Sequence, residues 1–202
     1  MVGSNRKSAE VRLGVLAIQG AFIEHIAVLR RLGVEAREVR LAAQLEGLHG
    51  LIVPGGESST IARLMKLYGL GEAIAKRASQ GMGVFGTCAG LILMAKHLAD
   101  DRPPPLGLMD IEVVRNAYGR QVDSFEIDLP VRCLGDGAFP AVFIRSPVIS
   151  GVGGEVEVLA SLPDSGPVAV RQGKLLATAF HPELTDDTRF HRYFLDLVRD
   201  SG

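Results

Sequence analysis

Short apolar runs alternate with amphipathic segments along the first half of the chain. The apolar run at residues 11–18 is followed by residues 22–32, where apolar side chains recur at helical spacing with charged residues between them. The pattern repeats, and it predicts strands at 11–18, 35–39, 50–53 and 83–85 and helices at 22–32, 58–67 and 71–79. Strands that alternate with helices indicate an α/β fold with a mostly parallel central sheet and helices on both faces.

The second half of the chain has a different pattern, in which short apolar runs are separated by turn residues. These runs predict antiparallel or mixed strands at 111–114, 124–129, 141–144, 155–160, 168–171 and 174–179, followed by a helix at 186–198. Ligands of open α/β sheets bind beyond the carboxyl ends of the strands. We therefore expect the loops at 54–59, 86–90 and 180–183 to form a site.

Size and charge narrow the classes of function. The 202 residues, 47% of them hydrophobic, suit one domain over 11–202 that follows a polar, flexible segment at 1–10. Lys and Arg (22) nearly balance Asp and Glu (23), which argues against a nucleic-acid or membrane partner bound through bulk charge. The start of the chain lacks the apolar region of a secretory signal, and no run of about 18 apolar residues occurs, so we expect a soluble, cytoplasmic protein.

The pentapeptide G-T-C-A-G at residues 86–90 places Cys88 between a predicted strand and a helix. This repeats the logic of the G-x-S-x-G nucleophile elbow, in which flanking glycines permit a tight, strained turn. The positive end of a helix dipole stabilises a thiolate. Cys88 is thus a candidate nucleophile, although a small apolar residue at a helix start is an equally valid interpretation of the pentapeptide alone.

A nucleophilic cysteine requires a histidine, and His181 is the best candidate. It lies in His-Pro-Glu, where the rigid proline leaves Glu183 two residues from the imidazole, a spacing that suits a carboxylate holding one ring nitrogen. The alternative is a helix-entry loop. The other histidines are predicted to be structural or solvated: His25 and His191 within helices, His49 after a turn and His97 near a helix C-terminus. A zinc site is disfavoured because the C-x-x-C that accompanies H-x-E in deaminases is absent.

The glycine loop at 54–59 follows a predicted buried strand and could leave backbone N–H groups free to bind an oxyanion. Gly-Gly after a strand is most often only a turn. Phosphate binding is disfavoured because neither a P-loop nor a G-x-G-x-x-G motif is present.

Taken together, these motifs resemble those of class I (triad) glutamine amidotransferases, which have a flavodoxin-like fold. More narrowly, the chain is similar to glutaminase subunits of pyridoxal 5′-phosphate synthase, and the segment R-N-A-Y-G-R-Q at residues 115–121 contributes most to that comparison. Ser59, where Thr is commoner, and the loops at 103–105 and 151–154 depart from the pattern. The motifs are G-V-L-A-I-Q-G-A-F-I-E-H, P-G-G-E-S, G-T-C-A-G, R-N-A-Y-G-R-Q-V-D-S-F-E, F-I-R and F-H-P-E-L-T.

The resemblance implies a role for each matching residue. Cys88 is the nucleophile, His181 the general base and acid, and Glu183 the group that orients His181. The residues implied for L-glutamine binding are Gly56, Glu57, Ser58, Arg115, Ile144 and Arg145, and the oxyanion would be bound by backbone N–H groups of Gly56 and Ala89. Without the resemblance, Arg115 could be a strand-edge charge and Glu57 a carboxylate at a helix start.

The implied activity is hydrolysis of L-glutamine to glutamate and ammonia, with the ammonia passed to a barrel-shaped synthase subunit that makes pyridoxal 5′-phosphate. This chemistry requires neither a metal nor an organic cofactor. Two alternatives stay open: a glutaminase subunit of another biosynthetic pathway, and a non-catalytic binding module of the same fold that uses Cys88 as a redox sensor.

Overall fold

The structure is a computed structural model that describes residues 11–100, 102–115, 124–163 and 165–199. The predicted flexible segment 1–10 lies outside the described residues. The helices are α1 (Phe22–Arg31), α2 (Ser58–Leu67), α3 (Leu70–Ser79), α4 (Ala89–Met94) and α5 (Arg189–Arg199), with 3₁₀ turns at Ala42–Leu45, Arg132–Leu134 and Pro182–Leu184. The strands are β1 (Leu13–Leu16), β2 (Ala36–Val39), β3 (Gly50–Val53), β4 (Gly83–Thr87), β5 (Ala95–Leu98), β6 (Met109–Val114), β7 (Ser124–Leu129), β8 (Phe139–Ile144), β9 (Val148–Val152), β10 (Glu157–Leu162), β11 (Gly166–Gln172) and β12 (Leu175–Thr178).

A seven-stranded sheet in the order β10-β11-β12-β4-β3-β1-β2 forms the centre of the molecule. The five strands from β12 to β2 are parallel, whereas β10, β11 and β12 pair antiparallel. Every residue of β1, β3 and β4 is buried, as expected for strands covered on both faces. The predicted mostly parallel sheet is confirmed.

Successive residues of β4 show that the sheet is covered on both sides. The Phe85 ring packs against His25 of α1 and His191 of α5. The next residue, Gly86, faces the other way, because a Cβ built on it would lie 2.6 Å from the Sδ atom of Met94 in α4. Since side chains alternate along a strand, α1 and α5 cover one face and α4 covers the other.

The antiparallel and mixed strands predicted for the second half are confirmed, but strand β9 there and strand β5, before the proline-rich loop, were missed. The three-stranded sheet β5-β6-β9 and the hairpin β7-β8 complete the described strands. His97, predicted near a helix C-terminus, follows the end of α4 by three residues but belongs to strand β5. Helix α4 ends early since the N–H groups of residues 106–108 donate to the carbonyls of residues 93–95 and draw the chain beside β6.

The loop predicted at 151–154 begins within a strand, because Gly151 and Val152 belong to β9 and pair with β6. Among the described residues, no helix combines the length and the apolar character needed to cross a bilayer.

Candidate active site

Cys88 lies on a sharp turn between β4 and α4. Its φ of 48° and ψ of −101° are in a region that non-glycine residues rarely adopt. The Cys88 N–H donates to the Thr178 carbonyl at 2.8 Å, which anchors the turn to the end of the neighbouring strand β12. The predicted elbow geometry is therefore present at this residue.

The two glycines of the pentapeptide make this turn possible by close packing. A Cβ built on Gly90 would lie 2.0 Å from the Val53 carbonyl oxygen of β3, and one on Gly86 would lie 2.6 Å from the backbone of Gly90. Real Cβ contacts do not approach so closely. Both positions thus require glycine to let α4 approach the sheet directly behind the cysteine.

His181 and Glu183 form a rigid pair beyond the end of β12. The Nδ1 atom of His181 lies 2.7 Å from Oε1 of Glu183, and both side chains are largely buried. The His181 backbone N–H donates to the Val142 carbonyl of β8 at 2.8 Å, so two different sheets fix the position of the imidazole. The spacing of His-Pro-Glu predicted this contact.

The imidazole of His181 meets Cys88 above Gly55. The Cys88 side chain is close enough to His181 to help raise the pKa of the imidazole. A Cβ built on Gly55 would lie 2.4 Å from Cε1 of His181 and 3.4 Å from Cβ of Cys88. The glycine loop therefore leaves the space in which Cys88 and His181 face each other.

The electrostatics favour a charged imidazole beside a charged carboxylate. Burial lowers the pKa of His181, but its hydrogen bonds to Cys88 and Glu183 and the charge of Glu183 outweigh burial and raise the pKa to about 10. Burial works against ionisation of Glu183, yet the nearby His25 and the hydrogen bond from His181 give a net lowering of its pKa. His181 is thus able to act as an acid at neutral pH.

The loop after β3 is tied to neighbouring segments by its backbone. The Gly55 carbonyl accepts the Ala21 N–H at 3.0 Å, and the Gly55 N–H donates to Oγ1 of Thr87 at 3.0 Å. In a trans peptide the N–H of Gly56 points opposite to the Gly55 carbonyl, hence away from Ala21. The bond from Ala21 orients the Gly55–Gly56 peptide, which we predicted to bind an oxyanion, and the bond to Thr87 orients the peptide before it.

Comparison with known proteins agrees with this geometry. The SNO glutamine amidotransferase family matches residues 15–200. The chain belongs to this family. A pyridoxal 5′-phosphate synthase subunit PdxT of Dehalococcoides mccartyi is 57% identical over 192 residues, covering 94% of this chain and 98% of that protein. A PdxT subunit of Thermus thermophilus is also 57% identical, over 92% of this chain and 97% of its own length.

Solved structures support the fold of this glutamine amidotransferase. A crystal structure described as that of a glutamine amidotransferase superposes with a TM-score of 0.87 at 55% identity, covering 92% of this chain and 98% of that one. A Thermoplasma acidophilum structure described as part of a GMP synthase has a TM-score of 0.68 at 20% identity, covering 94% of each chain, which shows a shared fold only. The predicted α/β glutamine amidotransferase architecture is confirmed.

The residues predicted to bind glutamine lie on three segments around the cysteine. Gly56, Glu57 and Ser58 lead from β3 into α2, and the Glu57 carboxylate caps that helix by accepting N–H groups of residues 59 and 60. The Ile144 carbonyl lies 3.9 Å from Sγ of Cys88. The next residue, Arg145, is exposed at a φ of 43°, outside the usual range for arginine.

Arg115 lies at the end of β6 and is engaged by its own surroundings. Its guanidinium donates to the Arg102 carbonyl and lies 3.8 Å from a carboxylate oxygen of Asp100. Its charge contributes to lowering the pKa of Glu57, after the hydrogen bonds from Thr60 and Ser59. The rest of the motif that contains it, residues 116–123, lies outside the described residues. Glutamine binding by these residues stays a prediction.

Four polar residues around the site were not predicted. Gln19 accepts the Glu57 N–H at 3.0 Å, Thr87 accepts the Gly55 N–H, and His25 and His191 lie buried behind Glu183. A signal for His191 did exist in the sequence, because Phe194, Leu195 and Val198 follow it at the spacing of one buried helix face.

Proposed function

We propose that this chain is the glutaminase subunit of a pyridoxal 5′-phosphate synthase. Membership of the glutamine amidotransferase family defines the reaction class, and relatives that are 53–59% identical are named PdxT subunits of that synthase. The observation that carries the chemistry is the strained Cys88 joined to a His181–Glu183 pair.

In the proposed reaction, the Cys88 thiolate attacks the side-chain amide carbon of L-glutamine and forms a C–S bond. Backbone N–H groups of Gly56 and Ala89 receive the negative charge that develops on the carbonyl oxygen. His181, protonated at neutral pH by its hydrogen bonds to Cys88 and Glu183, transfers its Nε2 proton to the departing nitrogen. The C–N bond then breaks, ammonia leaves and a glutamyl thioester remains.

Hydrolysis of the thioester completes the cycle. His181 accepts a proton from water, the resulting hydroxide attacks the thioester carbonyl, and glutamate leaves as the Cys88 thiolate is restored. Glu183 keeps the same imidazole nitrogen in place through both half-reactions. In these steps Cys88 is the nucleophile, His181 transfers the protons and backbone N–H groups bind the oxyanion, so the proposed reaction uses no metal or organic cofactor.

Ammonia released into water is protonated and stops being a nucleophile. We infer that the ammonia passes directly to a barrel-shaped synthase subunit, and that pyridoxal 5′-phosphate is the product of the complex. The compartment we propose is the cytoplasm, which suits the two free thiols of Cys88 and Cys133.

The proposal is tested by measuring glutamate release by the complex of the chain with a synthase subunit. Cys88→Ala should abolish hydrolysis, since losing the nucleophile of a comparable triad costs about 10⁶ in kcat. Cys133→Ala is the matched control and should retain parental activity, because Cys133 lies in a separate 3₁₀ turn. More than a few per cent of parental activity in Cys88→Ala would exclude the covalent mechanism. No glutamate release by the parental complex would favour the redox-sensor alternative.

A further inference from the structure

Two fully buried histidines lie behind the His181–Glu183 pair. His25 of α1 and His191 of α5 have 0% exposed surface, and Nδ1 of His25 lies 2.8 Å from Nε2 of His191. Burial of an imidazole without hydrogen bonds destabilises a fold. A pair of imidazoles bonded to each other inside an apolar layer therefore requires an explanation beyond the filling of space.

The other ring nitrogen of His25 faces the active site. Its Nε2 atom lies 3.2 Å from Oγ1 of Thr87 and 3.5 Å from Oε2 of Glu183. Within the described part of the chain, Glu183 Oε2 has no hydrogen bond of ordinary length. His25 therefore contacts the carboxylate that holds the base and the hydroxyl that accepts the N–H of the glycine loop.

The contacts assign one tautomer to each ring. Burial lowers the pKa of His25 and, more strongly, that of His191, so both rings are neutral and each carries one N–H. Because a carboxylate only accepts hydrogen bonds, the His25 proton belongs on Nε2, which leaves Nδ1 as the acceptor. His191 then donates from its own Nε2.

The remaining nitrogen agrees with this assignment. Among the described residues, Nδ1 of His191 has no hydrogen-bond partner. In the assigned tautomer this atom carries a lone pair, and buried acceptors without partners are tolerated better than buried N–H donors. The opposite assignment would bury an unpaired N–H at His191 and point the lone pair of His25 at the Glu183 carboxylate.

We propose that His25 is a positioning residue of the glutaminase reaction, with His191 holding it in the tautomer that directs Nε2–H at Glu183 and Thr87. The inference rests on the proposed function. Through Glu183, His25 restrains the orientation of His181, and through Thr87 it restrains the Gly55 peptide. One buried imidazole thus links the base to the loop that binds the oxyanion.

The role of His25 predicts an effect on turnover and not on glutamine binding. The residues predicted to bind glutamine are on other segments, so KM should stay near the parental value while kcat falls. A displacement of about 1 Å in a catalytic group costs up to roughly 100-fold in rate, and we expect a loss of about 10- to 100-fold when the Nε2–H is removed.

Two conservative variants separate positioning from packing. The amide of His25→Gln can place an N–H where Nε2–H was, whereas the shorter amide of His25→Asn reaches only the Nδ1 position beside His191. Both variants are polar, and glutamine is close in size to histidine. Asparagine is smaller, so its variant also needs a control for lost packing. Ile26→Ala is the matched control, because Ile26 is the next buried residue of α1 and has no polar contact.

The experiment measures kcat, KM and Tm for each variant as full chain bound to the synthase subunit. We expect His25→Asn to lose about 10- to 100-fold in kcat, His25→Gln to retain much more activity, and Ile26→Ala to lower Tm with kcat preserved. Equal kcat values for the Gln and Asn variants, or a loss in Ile26→Ala that matches His25→Asn, would overturn the proposal. Parental protein and Cys88→Ala are assayed alongside, because a parental protein that releases no glutamate contradicts the proposed function itself.

Discussion

Glu183 holds His181 through a single hydrogen bond of 2.7 Å between Oε1 and Nδ1. In Glu183→Gln the new amide can present its N–H to Nδ1 and stabilise the wrong tautomer of the imidazole. We expect kcat to fall by up to about 10⁴ while KM changes little, as for orienting carboxylates in other triads. Steady-state glutaminase kinetics of the complex measure both constants. An unchanged kcat with a raised KM would show that Glu183 binds substrate instead.

The protonation state of His181 gives a second prediction for a single residue. The hydrogen bonds to Cys88 and Glu183, which outweigh burial, raise the pKa of His181 to about 10, and an imidazole is charged below its pKa. At about pH 8 the native ring should therefore be an imidazolium, although free histidine is mostly neutral there. Cys88→Ala removes one of the partners that raise the pKa, so His181 in that variant should lose its proton at lower pH.

Nitrogen NMR of labelled imidazole rings during a pH titration measures this difference. Cys133→Ala is the control and should titrate as the parental protein does, since Cys133 is remote from His181 in the fold. Identical His181 midpoints in parental protein and Cys88→Ala would show that the sulfur does not contribute to the charge of the imidazole.

The sequence predicted some site residues and missed others for a physical reason. The role of Cys88 could be predicted because its glycines are close to it in the sequence. The His181–Glu183 contact could be predicted because the two residues are separated only by a proline, which restricts the backbone between them. His25 and His191 are 166 positions apart, and their pairing depends on how α1 and α5 pack on the sheet. No local sequence pattern predicts that these two histidines are neighbours in the fold.

At the scale of secondary-structure elements, strand β4 and helix α4 together position the sulfur atom of Cys88. The elbow depends on Gly90, where a Cβ would lie 2.0 Å from a carbonyl of β3. Gly90→Ala must push α4 away from the sheet, and we expect it to destabilise the fold by about 1–3 kcal/mol or more. The displaced cysteine should also lose most of its glutaminase activity.

Gly154→Ala is the control for this element. Gly154 is exposed and a Cβ there would have no heavy atom within 4 Å, so the variant should match the parental protein. Denaturant unfolding and glutamate release compare the two substitutions. A Gly90→Ala protein as stable and active as Gly154→Ala would contradict the packing that places Cys88.

The boundaries of elements were predictable where local composition determines them. Helix α2 and strand β3 begin and end where the apolar pattern predicted. The end of α4 was not predictable, because the N–H groups that take up its last carbonyls come from residues 106–108, beyond a proline-rich loop. The helix stops where a distant segment competes for its hydrogen bonds.

On the scale of the whole molecule, the parallel order of β3, β4 and β12 brings together three loops that lie far apart in the sequence. Val53, Thr87 and Thr178 end neighbouring strands of one sheet. The alternation of strands and helices in the sequence was sufficient to predict that these loops lie together at one edge of the sheet. For the two smaller sheets, the sequence predicted most of the strands but not how they pair. The apolar pattern within a strand does not specify its neighbour in a sheet.

On the same scale, the proposed activity depends on a synthase subunit as well as on this chain. The carbonyl of the Gly55–Gly56 peptide accepts one backbone hydrogen bond, from the Ala21 N–H, and glycine has no side chain to restrict rotation of this peptide. A partner packed beside this loop can shift the population of peptide orientations. Moving that population from 1:99 to 99:1 requires about 10⁴-fold tighter binding to the competent state, about 5.5 kcal/mol.

We therefore expect low glutaminase activity in the isolated chain and a strong rise when the synthase subunit binds. Glutamate release at saturating glutamine, measured while the synthase subunit is titrated, gives kcat as a function of occupancy. In Gly56→Ala a Cβ would lie 2.5 Å from Oε1 of Gln19, so the substitution disturbs the loop that the partner has to order, and the variant should lose far more of the activated rate than of the basal rate. A kcat that stays flat across the titration would reject activation by the partner. If Gly56→Ala instead lowered the basal and the activated rates equally, the synthase subunit would not act through this loop. A loop that already has its competent orientation in the isolated chain gains nothing when the partner binds.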